Sequence, residues 1–355
     1  MTREDELSVF IYILMVRKKK NPSKTISIED VARLAGVSIA TVSRVLNKLG
    51  SVKEKNRLKV LDVVKQLKFK PSVFAQRLAT GKSNVVALVI PRYEGMFYSF
   101  YVLELIRGIG TLCEALKLDL LLHLTDSRTP LNLRGAGGVI FADLIGNRAQ
   151  LEEALNSDMN CVVINNYVED LEVNCVAVDN VGGAENAVDY LVSLGHKKVA
   201  HITGDLITQA ASRRMEGYIK ALKKNKITLR QDYIFKTDYS RGQARQAAQE
   251  LIKMADPPTA IFISSDSMAL EVMAVARELG KEIPRDLSIV GFDDNPSGLY
   301  GPVALTTVRQ PLIKMAEEGV KKLNLLMSLD KKPKIERIIL PTELVIRESS
   351  RPLSP

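Results

Sequence analysis

Cysteine is scarce in this chain of 355 residues, and the three present, Cys113, Cys161 and Cys175, show no CxxC spacing. That excludes a disulfide framework or zinc ribbon and leaves small buried hydrophobes in a reducing compartment. Histidine is as rare: His123, His196 and His201 are scattered and read as structural. There is no Ser-His-Asp ordering and no Walker loop. Gly81-Lys82-Ser83 has Gln76 where a phosphate loop needs its earlier glycine. No enzymatic activity, no metal and no cofactor are therefore expected. Long apolar runs are missing too. The longest, Leu7 to Val16, follows the acidic REDE and precedes Arg17-Lys18-Lys19-Lys20. It falls far short of the ~20 residues that span a bilayer, and its flanks are reversed for a secretory signal. A start at Met15 would leave a basic arm, MVRKKKNPSK, which mass spectrometry of the native N-terminus would reveal.

What the chain does have is positive charge, in one place. Residues 15 to 84 hold 17 Lys or Arg against 4 Asp or Glu, whereas residues 85 to 355 hold 32 against 34. The whole net charge of +9 therefore originates in the first fifth. A basic head on a neutral body is the footprint of nucleic-acid binding, because phosphate neutralisation supplies most non-specific affinity.

Within that head, IEDVARLAGVSIATVSRVLN, from Ile28 to Asn47, reads as two short helices and a tight turn. Ser27 and Asp30 form a reciprocal cap, Gly36 supplies the turn and Ser38 caps the second helix. On the second helix Val42, Val45 and Leu46 share one face, leaving Ala40, Ser43, Arg44 and Asn47 on the other. Spacing alone does not separate a helix-turn-helix from an ordinary helical hairpin. A third helix is expected within Val52 to Phe69, with Leu58, Leu61, Val64 and Leu67 closing a miniature core. Pro71 ends it. The segment Ser72 to Ala79 is too short to be stable alone.

From Val85 the texture changes. Short runs rich in Val, Ile and Leu at 85–90, 118–124, 138–141, 161–164, 199–203, 259–263 and 287–292 alternate with helical patterns. Buried parallel strands look like this, and the number of elements implies two doubly wound α/β lobes with a ligand cleft between them.

The run TISIEDVARLAGVSIATVSRVLN, then FKPSVFAQRLATGKSNVVALVIP, YLVSLGHKKVAHITG, RRMEGYIKAL, AIFISSD, LSIVGFDD and ALTTVRQP closely resemble the LacI/GalR family of bacterial transcription regulators. The similarity runs from about Thr25 to Arg347. It implies a small all-α helix-turn-helix head, a hinge helix, and an α/β two-lobed periplasmic-binding-protein-like core that binds a small effector and dimerises. Carried onto this sequence, it assigns Ile39, Ala40 and Arg44 to base reading. Arg44 has independent sense, since its fork can pair with guanine O6 and N7, whereas Ile39 and Ala40 offer apolar contact, for instance to a thymine methyl. Ser38, Thr41, Ser43 and Asn47 resemble the phosphate-contacting set. Leu78, beside Ala75, matches a wedge that opens a base step from the minor groove. Effector contacts fall on Phe97, Tyr98, Asn165, Arg214, Ser265, Asp293 and Gln310. Asp179, Asp266 and Asp294 resemble structural acids.

Two departures bear on the cleft. The first pocket loop, PRYEGMFYSFYVLELIRG, lacks the family's Asp and Asn-Pro, leaving Phe97-Tyr98 and Phe100-Tyr101 as rival aromatic pairs. Between Leu124 and Gly138 only TDSRTPLNLRGAG remains, too short for a crossover helix, so loop is expected there. The expected layout is an N-terminal extension at 1–24, the head at 25–70, hinge and linker at 71–84, and the core at 85–350. Within the core, an N-terminal lobe takes about 85–180 and 308–330, and a C-terminal lobe about 181–305 and 331–347. The expected function is a cytoplasmic homodimeric regulator, a repressor, of a pseudo-palindromic double-stranded operator, controlled by a small-molecule effector such as a sugar derivative and without membrane association. The rival is a solute- or sugar-binding protein without DNA function, which the basic head and the lack of a signal segment oppose.

Overall fold

A computed structural model describes residues 26–47, 50–69, 83–93, 95–329, 331 and 333–353, and the chain divides into two compact units, 1–82 and 83–355. The N-terminal extension, the possible start at Met15 and the hinge segment lie outside the described residues.

The first unit contains three helices: α1 (Ile28–Ala35), α2 (Ile39–Asn47) and α3 (Glu54–Gln66). Ser27 and Asp30 form the expected capping box at the start of α1. Gly36 adopts φ 63°, a left-handed conformation costly for residues with a Cβ, and so allows the chain to turn. Val31, Ala32, Ala35, Val42, Val60 and Val63 form the core, with Val45, Leu46, Val64 and Leu67 packed against it. The expected face of α3 needs correction. Leu58 and Leu61 are 59% and 43% exposed, while Val60 and Val63 are buried. Both sides of α3 carry aliphatic residues, so of the expected stripe Val64 and Leu67 pack against the core while Leu58 and Leu61 do not.

The second unit holds two lobes. From its start, β1 (Val85–Pro91), α4 (Phe100–Ala115), β2 (Asp119–Thr125), β3 (Gly138–Phe141), α5 (Arg148–Asn156), β4 (Asn160–Ile164) and β5 (Asn174–Val178) build the first lobe. Then α6 (Asn180–Ser193), β6 (Val199–Thr203), α7 (Gln209–Lys224), β7 (Ile234–Lys236), α8 (Arg241–Ile252), β8 (Ala260–Ile263), α9 (Asp266–Glu278), β9 (Ser288–Asp293) and β10 (Thr306–Arg309) build the second. The chain returns through α10 (Leu312–Ser328) and β11 (Arg337–Leu340) to the first lobe and ends with β12 (Glu343–Val345) in the second.

The sheet orders are β11-β5-β4-β3-β1-β2 and β12-β10-β9-β8-β6-β7, parallel throughout except for β12 against β10. Two lobe boundaries differ from expectation. β11 pairs in parallel with β5, placing 337–340 in the first lobe, and β10 pairs with β9, placing 306–309 in the second. Short strands such as RIIL become strands because a sheet edge offers them hydrogen-bond partners, which local sequence does not reveal.

The chain therefore crosses between lobes at Asp179, at Gln310–Pro311 and at Pro341–Thr342. The first and third crossings are tied, since Asp179 N donates to Leu340 O at 2.8 Å. As expected, residues 126–137 contain no helix. All three cysteines are buried and free. His196 bonds Thr259 and the Arg351 carbonyl, and His201 stacks between Tyr218 and Phe262. Among the described residues no helix is long and apolar enough to cross a membrane.

Candidate functional site

In the head, Val42 is fully buried, which fixes how α2 is rotated about its axis. That burial leaves Ile39, 47% exposed, and the exposed Ala40 and Arg44 facing outward. Arg44 is exposed and makes no ion pair among the described residues. At the helix start the Ser38 and Thr41 hydroxyls bond each other at 2.9 Å, and Ser38 accepts from Thr41 N. Ser43 is half-buried, and Asn47 ends α2. Ala75 and Leu78 lie outside the described residues.

In the second unit the polar groups gather at the carboxyl ends of the strands, where parallel α/β folds hold ligands. The centre is Arg214, projecting from α7 and buried. Its Nε donates to Asn180 Oδ1 at 2.8 Å and its Nη1 to the Ser264 carbonyl at 2.6 Å, while the guanidinium lies 3.8 Å above the Phe292 ring. At the end of β9, Asp293 has φ 130° and accepts from Gln310 Nε2 at 2.7 Å. In the first lobe Asn165, just past β4 with φ 69°, donates to Asp143 Oδ2 at 3.0 Å. Asp143 and Asp293, one from each lobe, both feel the Arg214 charge.

Burial is the main influence on both acids. It raises the Asp143 carboxyl to about 6, against the pull of the Asn165 hydrogen bond and of Arg214. It also pushes Asp293 above the ordinary carboxylate range. Asp266, deeper behind, is raised by burial and by the charge of Asp293. Its oxygens accept from the Thr307 hydroxyl at 2.6 Å and from Asn295 N at 2.7 Å, so it ties the ends of β9 and β10 together. Asp294 is held between Arg309 and Arg347, and Asp179 caps α6 through Gly182 N. These three acids do structural work.

The first pocket loop leaves Phe97 and Tyr98 on the surface. Those two are 55% and 93% exposed on a single 3-10 turn. Ser99 then caps α4, and one turn further Tyr101 donates its hydroxyl to the Ala142 carbonyl at 2.6 Å, next to Asp143. Ser265 is largely occupied as the cap of α9. Asp143 was missed in the sequence because nothing local marks it, being simply the second residue beyond β3. Tyr239 was missed as well. Its ring lies over Gly204, where an added Cβ would sit 2.0 Å from Tyr239 Cζ, and its hydroxyl is within the fields of Arg214, Asp293 and Asp143. At the cleft mouth a cavity of about 560 Å³ is bounded by Leu144, Asn166 and Tyr167 on one side and Thr208, Gln209 and Arg213 on the other.

A folded head with an outward helix face, joined in sequence to a two-lobed core with a polar cleft, matches known proteins along its length. Residues 27–72 match the model of bacterial regulatory proteins of the lacI family, and residues 188–350 match a periplasmic binding protein-like domain. The HTH-type transcriptional regulator DegA of Bacillus subtilis (strain 168) is 33% identical over 339 residues, covering 92% of this chain and 99% of DegA. The chain belongs to the LacI family. It is a DNA-binding transcriptional regulator with an effector-binding type of core. A second family member, the HTH-type transcriptional repressor PurR of Vibrio cholerae serotype O1 (strain M66-2), is 30% identical over 92% of this chain and 99% of its own. Among solved structures of the family, the transcriptional regulator CelR-cellobiose complex superposes with a TM-score of 0.69 at 25% identity, covering 91% of this chain and 99% of that one.

Proposed function

We propose that this LacI-family protein is a homodimeric, cytoplasmic repressor, without enzymatic activity, whose grip on a pseudo-palindromic operator is set by a small molecule bound between the lobes. The observation that carries this reading is the outward face of α2. Ile39 and Ala40 supply apolar contact to base edges, and Arg44 supplies a fork for guanine. Ser38, Thr41, Ser43 and Asn47 flank that face and contact phosphate, which positions the helix without reading sequence. Ala75 and Leu78 take the minor-groove role that the family resemblance gives them. PurR, named as a repressor, supports the sign of the regulation.

Exposed apolar side chains on consecutive elements of the first lobe, Leu103 on α4 and Leu122 on the side of the edge strand β2 that packs with α4, supply a face for a second copy. Two-fold symmetry in the dimer then predicts two-fold symmetry in the operator. In the cleft, Asn165, Arg214, Asp293 and Gln310 hold the effector, with Tyr101 taking the aromatic place first given to Phe97 and Tyr98. Ser265 serves the site by capping α9. The CelR complex carries cellobiose, which supports a polar hydroxylated ligand here. Binding shifts the balance between lobe arrangements, and only differential affinity for them can do so.

Selection of bound genomic fragments followed by sequencing tests the reading. A symmetric motif whose binding weakens steeply with salt is expected. Recovery of no motif, with salt-insensitive binding, would sink it.

A further inference from the structure

Asp143 and Asp293 each receive the side-chain amide of a neighbour, Asn165 Nδ2 at 3.0 Å and Gln310 Nε2 at 2.7 Å. An ionised carboxylate can only accept, so both amides must turn their N–H groups onto it. Their carbonyl oxygens then point elsewhere. Asn165 and Gln310 are only 6% and 7% exposed, yet neither Asn165 Oδ1 nor Gln310 Oε1 accepts a hydrogen bond among the described residues. A buried acceptor left without a donor is costly in a folded protein, and at a ligand cleft the ligand is the natural donor. Apart from the second N–H of each amide, the unused capacity on these four side chains is thus of acceptor type.

Charge narrows the ligand further. Neither Asp143 nor Asp293 makes an ion pair among the described residues, and the two placed Arg214 hydrogen bonds go to neutral oxygens. Asp266 has its oxygens filled by Thr307 and Asn295. One guanidinium therefore faces two ligand-accessible carboxylates. An anionic ligand would add a third negative charge to a site with one positive charge. A neutral polyol would fill the acceptors and leave the imbalance untouched. An ammonium group does both.

We infer that the cleft takes a polyhydroxylated amine, whose N–H and O–H groups donate to Asp143, Asp293, Asn165 and Gln310. This rests on the effector-site reading above and adds the chemical class of the effector. Asp143 acts as the specificity determinant for the positive charge, and Arg214 donates to ligand hydroxyl oxygens.

The test uses the full chain and its Asp143→Asn and Asp293→Asn variants at pH 7.5, followed by scanning fluorimetry and calorimetry. The probes are two matched trios: glucose, glucosamine and glucuronate, and the corresponding galactose series. In parallel, wild-type protein is incubated with a small-molecule cell extract and the retained ligand is weighed by native mass spectrometry. A charge-assisted hydrogen bond predicts that the ammonium member binds roughly ten- to hundredfold more tightly than its neutral congener. The uronate should be weakest, and Asp143→Asn should shrink the ammonium preference to within about threefold. A ligand retained from the extract should carry a basic nitrogen. The inference is overturned if the neutral or acidic member binds best, if Asp143→Asn leaves the ratio unchanged, if the retained ligand has no basic nitrogen, or if nothing binds in either format. Failure of the effector reading itself looks different: an amine binds with this charge preference while occupancy of the selected DNA motif stays the same.

Discussion

Gln209 grips both backbone groups of Tyr167 across the cleft. Its Oε1 accepts from Tyr167 N at 2.6 Å and its Nε2 donates to Tyr167 O at 3.0 Å. Gln209 begins α7 in the second lobe, and Tyr167 follows β4 in the first, so this paired bond clasps the lobes at the mouth of the ligand site. Each lobe has its own core and does not need the clasp to fold.

Gln209→Ala should therefore favour the open arrangement with little loss of stability. Two hydrogen bonds at ~0.5–1.5 kcal/mol each would change the closed-to-open ratio by roughly five- to a hundredfold. Small-angle scattering should show a larger radius of gyration in the variant, with a Tm within a few degrees of wild type. An unchanged scattering curve would mean that the clasp holds nothing.

Arg44→Ala should cost about 1–3 kcal/mol at one base position of the operator, the value of a bidentate Arg–guanine pair. Gel-shift titration against single-base operator variants should show preference relaxed at that position alone. Uniform weakening across all variants would instead place Arg44 on a phosphate.

Acid should reveal Asp143. Its carboxyl is raised in the fold to about 6, so between the ordinary carboxylate range near 4 and that value the native state holds more protons than the unfolded state. The contribution of this group to stability therefore falls as pH rises through that window. Asp143→Asn removes the fall, and the variant should match wild type near pH 4 and exceed it in Tm at pH 7.5. The neighbouring acids Asp266 and Asp293 are also raised and Arg214 faces the same site, so the difference between variant and wild type, rather than either curve alone, isolates Asp143.

Arg214→Leu leaves Asn180 Oδ1 and the Ser264 carbonyl without their donor and Asp293 without its nearby positive charge. Breaking a buried charged network by removing one partner typically costs ~3–5 kcal/mol. Chemical denaturation should show a clear drop in midpoint, together with loss of any ligand-induced Tm shift. A variant as stable as wild type would show that the site is looser than its geometry.

The head offers a paired comparison. Val60 is fully buried and Leu58 is 59% exposed, so Val60→Ala should destabilise the head by about 1–3 kcal/mol and Leu58→Ala by less than about 0.5 kcal/mol. Amide exchange of the α1 and α2 backbone would separate the two. The opposite order would restore the stripe expected from spacing.

The contrast between Leu58 and Val60 also shows what the sequence could and could not reveal. Caps and turns are local chemistry, and Ser27, Asp30, Gly36 and Ser38 appear where their side chains and φ angles demand. The long apolar strands are equally legible, because six of the seven apolar runs are buried in sheet interiors, the exception being the edge strand β2. The short strands β7, β11 and β12 are not, since their partners are distant in sequence. Family resemblance pointed to Arg214, Asp293 and Gln310 but left two aromatic pairs open at the first loop, where this chain differs from the pattern. It offered nothing on Asp143, whose importance arises only when β3 and β4 lie side by side and bring Asn165 to it.

The pairing of β11 with β5 has a consequence for the order in which the protein comes into being. The head closes its core with residues that leave the ribosome first, all before residue 70. The first lobe waits for residues 337–340, made long after the head, before its sheet has both edges. During synthesis, and in any chain truncated before that strand, a DNA reader would exist without a finished ligand sensor. Control over the gene comes later than the means to bind it.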